Sequence, residues 1–269
     1  MTVVGTMHSS AGEAIRHVLM MPDPATKVMA ARLATRQWRK GILTADFSTE
    51  MPDVPARPAR PELLRPGQMP RRGKGTSVTK RIALIHALAH IEFVAIDLAF
   101  DMIGRFGAEF PREFADDWFR VGAEEAMHFV LLERRLREMG SFYGALPAHD
   151  GLWDTAKETA YDASARLAIV PMVLEARGLD ITLDTVARFE AQGDPFTAKV
   201  LNRIYHDEIN HVFFGTKWFE WCCNRQQSDP YRHWKNLVKT HFRGGLKPPF
   251  NDSARLAAGL TQEYYLGIE

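Results

Sequence analysis

The sequence predicts an all-α fold built on four long central helices. Three observations predict it. Apolar residues recur near a period of 3.6 over several long segments, no segment keeps the strict alternation of a strand, and glycine and proline cluster between the periodic segments. At 269 residues, with 46% apolar and 25% charged residues, the chain has the length and composition of an ordinary globular protein with a sizeable core.

The elements follow in order. Residues 10–40 read as one or two amphipathic helices around Pro22 and Pro24. Residues 51–76 hold prolines at 52, 55, 58, 61, 66 and 70 and cannot be regular structure. Arg57, Arg60, Arg65, Arg71, Arg72 and Lys74 make this stretch basic, so it reads either as an extended arm packed on the main domain or as a nucleic-acid arm. A first long helix runs from Thr79 to Phe106, where Gly104 and Gly107 mark a stop. Pro111 suits the first turn of a second helix that ends near Met139 at Gly140. A third is expected from Leu152 to Arg177, kinked at Pro171 and closed by Gly178, followed by a short helix over 183–192. The break Gln192-Gly193-Asp194-Pro195 opens a fourth helix to about Asn224, and residues 230–242 and 252–265 read as two shorter helices. This divides the chain into N-terminal helices and arm (1–78), a four-helix bundle (79–225) and a C-terminal helical extension (226–269).

Composition narrows the function classes. The first twenty residues lack the apolar run of a signal peptide, and the best apolar run, Ile82 to Ile91, is interrupted by His86 and His90, so no membrane span is expected. The only cysteines are the adjacent Cys222 and Cys223, which excludes a disulfide framework, suits a reducing cytoplasm and reads as reduced core. A net charge of +1 gives no global field for nucleic acid or an anionic membrane.

The informative residues are two Glu-x-x-His pairs, Glu125-Ala-Met-His128 and Glu208-Ile-Asn-His211. At this spacing carboxylate and imidazole share one helix face and can grip one ion. With 17 Glu and 10 His in the chain, chance alone supplies roughly 0.6 such pairs, so the pairs need context. A glutamate stands 33 residues before each: Glu92 before Glu125 and Glu175 before Glu208. The two sets are offset by 83 residues throughout (92 to 175, 125 to 208, 128 to 211), as if one helical hairpin were used twice. In the first hairpin Glu92 and Glu125 are equidistant from the turn at 104–111 and fall level, roughly 20 Å from it. Four carboxylates and two neutral imidazoles among apolar neighbours such as Phe93, Phe129 and Val212 carry a charge of −4, and two divalent cations would neutralise it.

This set, Glu92, Glu125-x-x-His128, Glu175 and Glu208-x-x-His211, resembles the ligands of ferritin-like di-iron carboxylate proteins. Ala-His-Ile-Glu at 89–92, Glu-Glu-Ala-Met-His-Phe at 124–129, Glu-Ala-Arg-Gly-Leu-Asp at 175–180, Asp-Glu-Ile-Asn-His-Val at 207–212 and the Pro/Arg arm resemble a bacterial ferritin-like family of unassigned function. The tRNA hydroxylases are a more distant likeness. The resemblance implies a ferritin-like four-helix bundle with added N- and C-terminal helices. It also implies two iron ions (or Mn/Fe, or Mn/Mn), one on Glu92, Glu125 and His128, the other on Glu175, Glu208 and His211. Glu125 and Glu208 would bridge. It implies further an oxidoreductase that uses O2 and an external electron donor to oxidise or hydroxylate a small metabolite or a tRNA base, and RNA would then meet the basic arm. Metal handling of the ferroxidase kind and a non-catalytic helical interaction module are the alternatives, and a homodimer fits any of them.

Other residues complete the expectation. Glu124 and Asp207, each four residues before a site histidine, are placed to take its second N–H, on their own helix or across the bundle. Tyr205, one turn before Glu208, either tunes the site or is a core tyrosine with a bonded hydroxyl. His86 and His90 share a face turned away from Glu92 and read as packing histidines. Trp218 to Trp221 with Phe213, Phe214 and Phe219 read as core or a dimer face, and the Pro171 kink either re-aims Glu175, opens a pocket or simply packs.

Overall fold

In a computed structural model of the chain, residues 8–70 and 77–268 are described. Among them every regular element is helical, and the only strand-like contacts are two isolated bridges, Ser10 with Thr44 and Leu63 with Ala148. The chain is all-α, as its periodicity predicts.

Helix α1, Ala11–Leu19, opens on a capping box in which the Ser10 hydroxyl accepts from the Glu13 amide and the Glu13 carboxylate reaches back to the Ser10 amide. Helix α2, Pro24–Arg39, starts at an Asp23 cap with proline at its first position. Both lie against the long helices: α1 on α3 (Val78–Phe106) and α2 on α4 (Arg112–Glu138). Fully buried Trp38 stacks on Phe119 at 5.1 Å. Buried Lys27 donates from α2 to Asp97 of α3.

Over its described residues the proline-rich stretch after α2 has no regular structure apart from one 3-10 turn at Pro66–Gln68. Met51, Pro55 and Pro61 are buried, Trp153 Nε1 donates to the Asp53 carbonyl at 3.1 Å, and Arg105 donates to the Pro52 carbonyl at 2.8 Å. Arg57 points inward and pairs with Asp97 and with Asp150. Arg60 and Arg65 are exposed, while Arg71, Arg72 and Lys74 lie outside the described residues.

Helices α3 and α4 form the first hairpin through a 3-10 turn at Gly107–Glu109, with Pro111 just ahead of α4 rather than inside its first turn. By length and hydropathy α3 passes for a membrane span, with a mean of 1.8 over its most apolar 18 residues. That window is 67% buried by the rest of the protein, so its apolar surface faces the bundle core. Burial pushes the imidazoles of His86 and His90 down to about 4 and about 3. His90 Nδ1 bonds the Tyr143 hydroxyl at 2.9 Å, and His86 Nε2 accepts from the Gly144 amide at 2.9 Å, so both histidines serve packing, as expected.

The third long element departs from the expected helix over Leu152 to Arg177. Helix α5 covers only Gly151–Glu158, and α6, Ala163–Ile169, restarts on an Asp162 cap whose carboxylate accepts from the amides of Ser164 and Ala165. A π-helical segment follows at Val170–Glu175, then α7 at Ala176–Ala191. Pro171 has no amide to bond the residue 167 carbonyl, and the chain answers with a wider turn instead of a simple kink. Gly178 does not close a helix. It lies inside α7, where a helical glycine costs only about 1 kcal/mol relative to alanine. The true stop is Gly193, at φ +73°, a left-handed conformation that suits glycine.

Helix α8, Pro195–Gln226, completes the second hairpin against α7, and its approach to the π segment is close: a Cβ on Gly215 would stand 2.5 Å from Cβ and Cγ of Pro171. The C-terminal part packs over this hairpin. Helix α9, Pro230–His241, buries Trp234, whose Nε1 donates to the Ala168 carbonyl at 3.2 Å. The helix expected over 252–265 is two short ones, α10 (Asp252–Ala257) and α11 (Gln262–Tyr265), because Gly259 turns left-handed at φ +71°. Buried Arg255 grips Asp180 of α7 through both carboxylate oxygens at 2.8 and 2.7 Å. Trp218 and Phe219 are core, and Phe213 is 42% exposed. Cys222 and Cys223 are free and buried, and burial pushes the Cys222 thiol up to about 12.

Candidate metal centre

Two hairpins packed together bring mid-helix residues to one level. Glu92 comes from α3, Glu125 and His128 from α4, Glu208 and His211 from α8, and Glu175 from the last residue of the π segment. Glu92, Glu125, His128 and Glu208 converge so that one ligand atom from each lies within 4.8 Å of all the others. His128 Nδ1 is 3.3 Å from both Glu92 Oε2 and Glu125 Oε2, and 3.9 Å from Glu208 Oε1. His211 Nδ1 is 3.0 Å from Glu125 Oε1 and 3.5 Å from Glu208 Oε2, and the two imidazoles are 5.7 Å apart. Glu125 therefore stands between both histidines. Glu175 is outside the tight group, but it lines the same cavity as Glu92, Glu125 and Glu208. This buried Glu/His cluster can hold a metal ion.

The far nitrogens are held crosswise. His128 of α4 bonds Asp207 of α8 through Nε2 at 3.1 Å, and His211 of α8 bonds Glu124 of α4 through Nε2 at 3.0 Å. Each acid serves the histidine of the other hairpin, which settles the alternative left open by spacing. Both Nδ1 atoms are thereby turned to the glutamates. The acids are backed by exposed arginines on their own helices: Arg120 donates to Glu124 Oε1 at 3.0 Å, and Arg203 to Asp207 Oδ2 at 2.7 Å. Tyr205 is not part of this arrangement. Its hydroxyl accepts from Asn251 at 3.1 Å, which makes it a core tyrosine tied to the C-terminal extension.

Among the described residues no lysine or arginine pairs with Glu92, Glu125, Glu175 or Glu208. Burial, reinforced by Glu125, holds the Glu92 carboxyl well above the usual range, and burial with Glu208 does the same to Glu175. Burial alone would raise Glu125 as well, but His211 and His128 hold it well below that range. Burial opposes the charged form of both histidines, yet Asp207, Glu125 and Glu92 keep His128 well above an ordinary imidazole, and Glu208, Glu125 and Glu124 do so for His211. Asp207, despite its burial, is pushed down to about 2 by His128 and Arg203. The cluster thus keeps protons that a divalent ion would displace. Three buried atoms of these residues make no well-formed hydrogen bond: Glu175 Oε2, Glu208 Oε2 and His211 Nδ1, the last close to Glu125 and Glu208 but poorly aligned with them. Such orphaned atoms are costly unless something binds them, and carboxylate oxygen with imidazole nitrogen is a donor set suited to iron and manganese.

Sequence reasoning missed two features. One is a cavity of about 230 Å³ between α3 and the π segment with α7 and α8, with Glu92, Glu125, Glu175 and Glu208 in its lining. Its signal was the run of apolar residues at 84, 88, 91, 95 and 98, one more stripe than a packed helix needs. The other is the pair of buried acids on α3, Asp97 and Asp101, which gather Lys27, Arg57, Arg105 and Arg166. Two aspartates in so apolar a helix were the visible sign.

A family model described as "Protein of unknown function (DUF455)" matches residues 20–266, and the chain belongs to that family. An uncharacterized protein of Haemophilus influenzae is 37% identical over 229 residues, 82% of this chain and 79% of its own. No solved structure matches.

Proposed function

We propose that this DUF455 protein is a metal-dependent oxidoreductase of the ferritin-like di-iron carboxylate kind. It would oxidise or hydroxylate an organic substrate with O2, taking electrons from an external donor. Glu92, Glu125, Glu175, Glu208, His128 and His211 would hold two ions, iron first and Mn/Fe or Mn/Mn as alternatives, since this donor set does not discriminate strongly. When bound, the metal supplies the redox chemistry, and the protein supplies binding, orientation and exclusion of water.

The observation that carries the reading is the doubled, crosswise arrangement: two Glu-x-x-His pairs whose histidines are each oriented by an acid from the opposite hairpin. A structural ion pair needs no such symmetry. Glu125, between both histidines, and Glu208, whose two oxygens face one histidine each, would be the carboxylates shared by the two ions. Glu92 and Glu175 would each complete one side. The cavity that reaches the glutamates favours an organic substrate over ferroxidase traffic, because hydrated ions need polar walls and these walls are largely leucine and isoleucine.

The test is metal content of the purified protein by mass spectrometry, beside the double variant Glu125→Ala/Glu208→Ala. About two ions per chain, lost in the variant, is the expected result. Metal retained at full stoichiometry in the variant, or none after anaerobic reconstitution with iron, overturns the assignment.

A further inference from the structure

We infer that the substrate is an apolar molecule, or the apolar end of a longer one, that enters between α3 and α7 and stops against the glutamates. The inference rests on the oxidoreductase reading given above and adds the substrate class.

Two helical stripes face each other across the cavity. On α3 they are Leu84, Leu88 and Ile91; across from them stand Leu174, Gly178 and Ile181. Each set follows the three- and four-residue spacing of one helix face. Such stripes normally interlock, but here they leave space, and Ile91 and Ile181 remain 43% exposed each, so the opening reaches solvent. Leu201 and Ile204 of α8 add to the wall, and the carboxylates of Glu92, Glu125, Glu175 and Glu208 complete the lining. A cavity of about 150 Å³ lined by aliphatic and aromatic side chains has room for benzene, and this one, at about 230 Å³, has room for a longer chain beside its carboxylate end.

The lining also argues against a nucleobase. An extruded base is read by hydrogen bonds along its edge and by aromatic stacking. Beyond the four glutamates, the polar lining is Thr182, Thr185 and Arg177, and no aromatic residue takes part. Arg177 is turned toward the C-terminal segment, where its Nη1 donates to the carbonyls of Lys247 and Pro249 and to Asp180.

Gly178 offers a direct way to fill the space, since a Cβ there meets nothing within 4 Å. The experiment is calorimetric titration of the metal-loaded protein with straight-chain primary alcohols from butanol to decanol, with adenosine and cytidine in parallel. The same titrations are run on Gly178→Leu and on Leu88→Trp, whose metal content and thermal midpoint are recorded first. At about 0.8 kcal/mol per buried methylene, affinity should rise roughly fourfold per carbon until the chain outgrows the cavity. In the filled variants the rise should stop at a shorter chain with metal content unchanged. Affinity independent of chain length, nucleosides binding more tightly than octanol, or filled variants binding every alcohol like the parent would each overturn the inference while leaving the metal assignment standing. A protein that binds alcohols in this graded way but never loads metal overturns the oxidoreductase reading, and the substrate assignment with it.

Discussion

The crosswise acids permit a graded test of the centre. In Asp207→Ala and Glu124→Ala each far histidine nitrogen loses its partner, at 3.1 Å for His128 and 3.0 Å for His211. Removing such an orienting acid costs 10- to 100-fold in metal affinity, or about 1.4–2.7 kcal/mol. The near-equal distances predict near-equal losses for the two alanine variants, toward the upper end of that range. The amides should do less harm. One oxygen of Asp207, Oδ2, accepts from both His128 and Arg203, so an asparagine oxygen can keep both bonds at reduced strength. Glu124 splits its oxygens between His211 and Arg120, so a glutamine can keep only one, and Arg120, 54% exposed, can turn to water instead. Both amides should therefore lose close to tenfold. Arg120→Ala and Arg203→Ala remove partners that are themselves more than half exposed and that water can replace, so each should weaken metal binding by no more than a few-fold. The assay is metal titration against a competing chelator, with urea midpoints of the metal-free variants to separate folding from binding. Full-affinity binding by both alanine variants, or an Arg120→Ala loss as large as that of Glu124→Ala, would refute the reasoning.

Other consequences are equally specific. Gly215→Ala forces a Cβ to 2.5 Å from a proline ring that cannot swing aside, so it should destabilise by about 1–3 kcal/mol. Gly178→Ala, with open space, should stabilise by up to about 1 kcal/mol, and opposite shifts of the thermal midpoint check both. Arg166→Met strips Asp101 of its fully buried partner; Arg105 remains, so the loss should fall near the lower end of about 3–5 kcal/mol, read from denaturant midpoints. The metal-free protein should lose stability as pH rises from about 6.5 to 9, because Glu92, Glu175, His128 and His211 are all raised, so that the folded state holds more protons than the unfolded one; below about 6.5 the lowered His86 and His90 oppose that slope. Metal loading should release protons and flatten that slope; a slope of the same size in loaded protein, measured by denaturation across this range, would count against the six as ligands.

Much of this was legible in the sequence because the relevant signals are local. A carboxylate three residues before a histidine on a proline-free helix fixes both on one face, and an offset repeated three times ties distant segments together. Proline after an acid gave the start of α8 at Asp194-Pro195. The misreadings came where tertiary packing decides. Gly178 reads as a stop, yet α7 runs through it because the rest of its turn is packed and the glycine faces empty space. Pro171 reads as a kink, but whether the freed carbonyl gives a bend or a wider turn depends on how near α8 comes at Gly215, a contact between residues 44 positions apart. Glu124 was legible as a partner for a site histidine, but which histidine it takes was out of reach, because that depends on how the hairpins face one another. Tyr205 points to Asn251 because the C-terminal extension lies there, and no pattern within α8 encodes it.

The exchange of acids between hairpins also sets a clock. A growing chain carries Glu92, Glu125 and His128 once α4 has been made, but the carboxylate that aims His128 is residue 207, and the helix that bears it ends at Gln226. Until α8 is synthesised and docked, His128 has no fixed tautomer and His211 does not exist. Half a site would bind redox-active ions loosely, with its glutamates open to water. By placing each aiming group on the later or the opposite hairpin, the chain defers a well-formed centre until the surrounding core is closed. Metal uptake would then wait on the docking of α8, and a truncated or misdocked chain would gain less stability from an ion than the complete one.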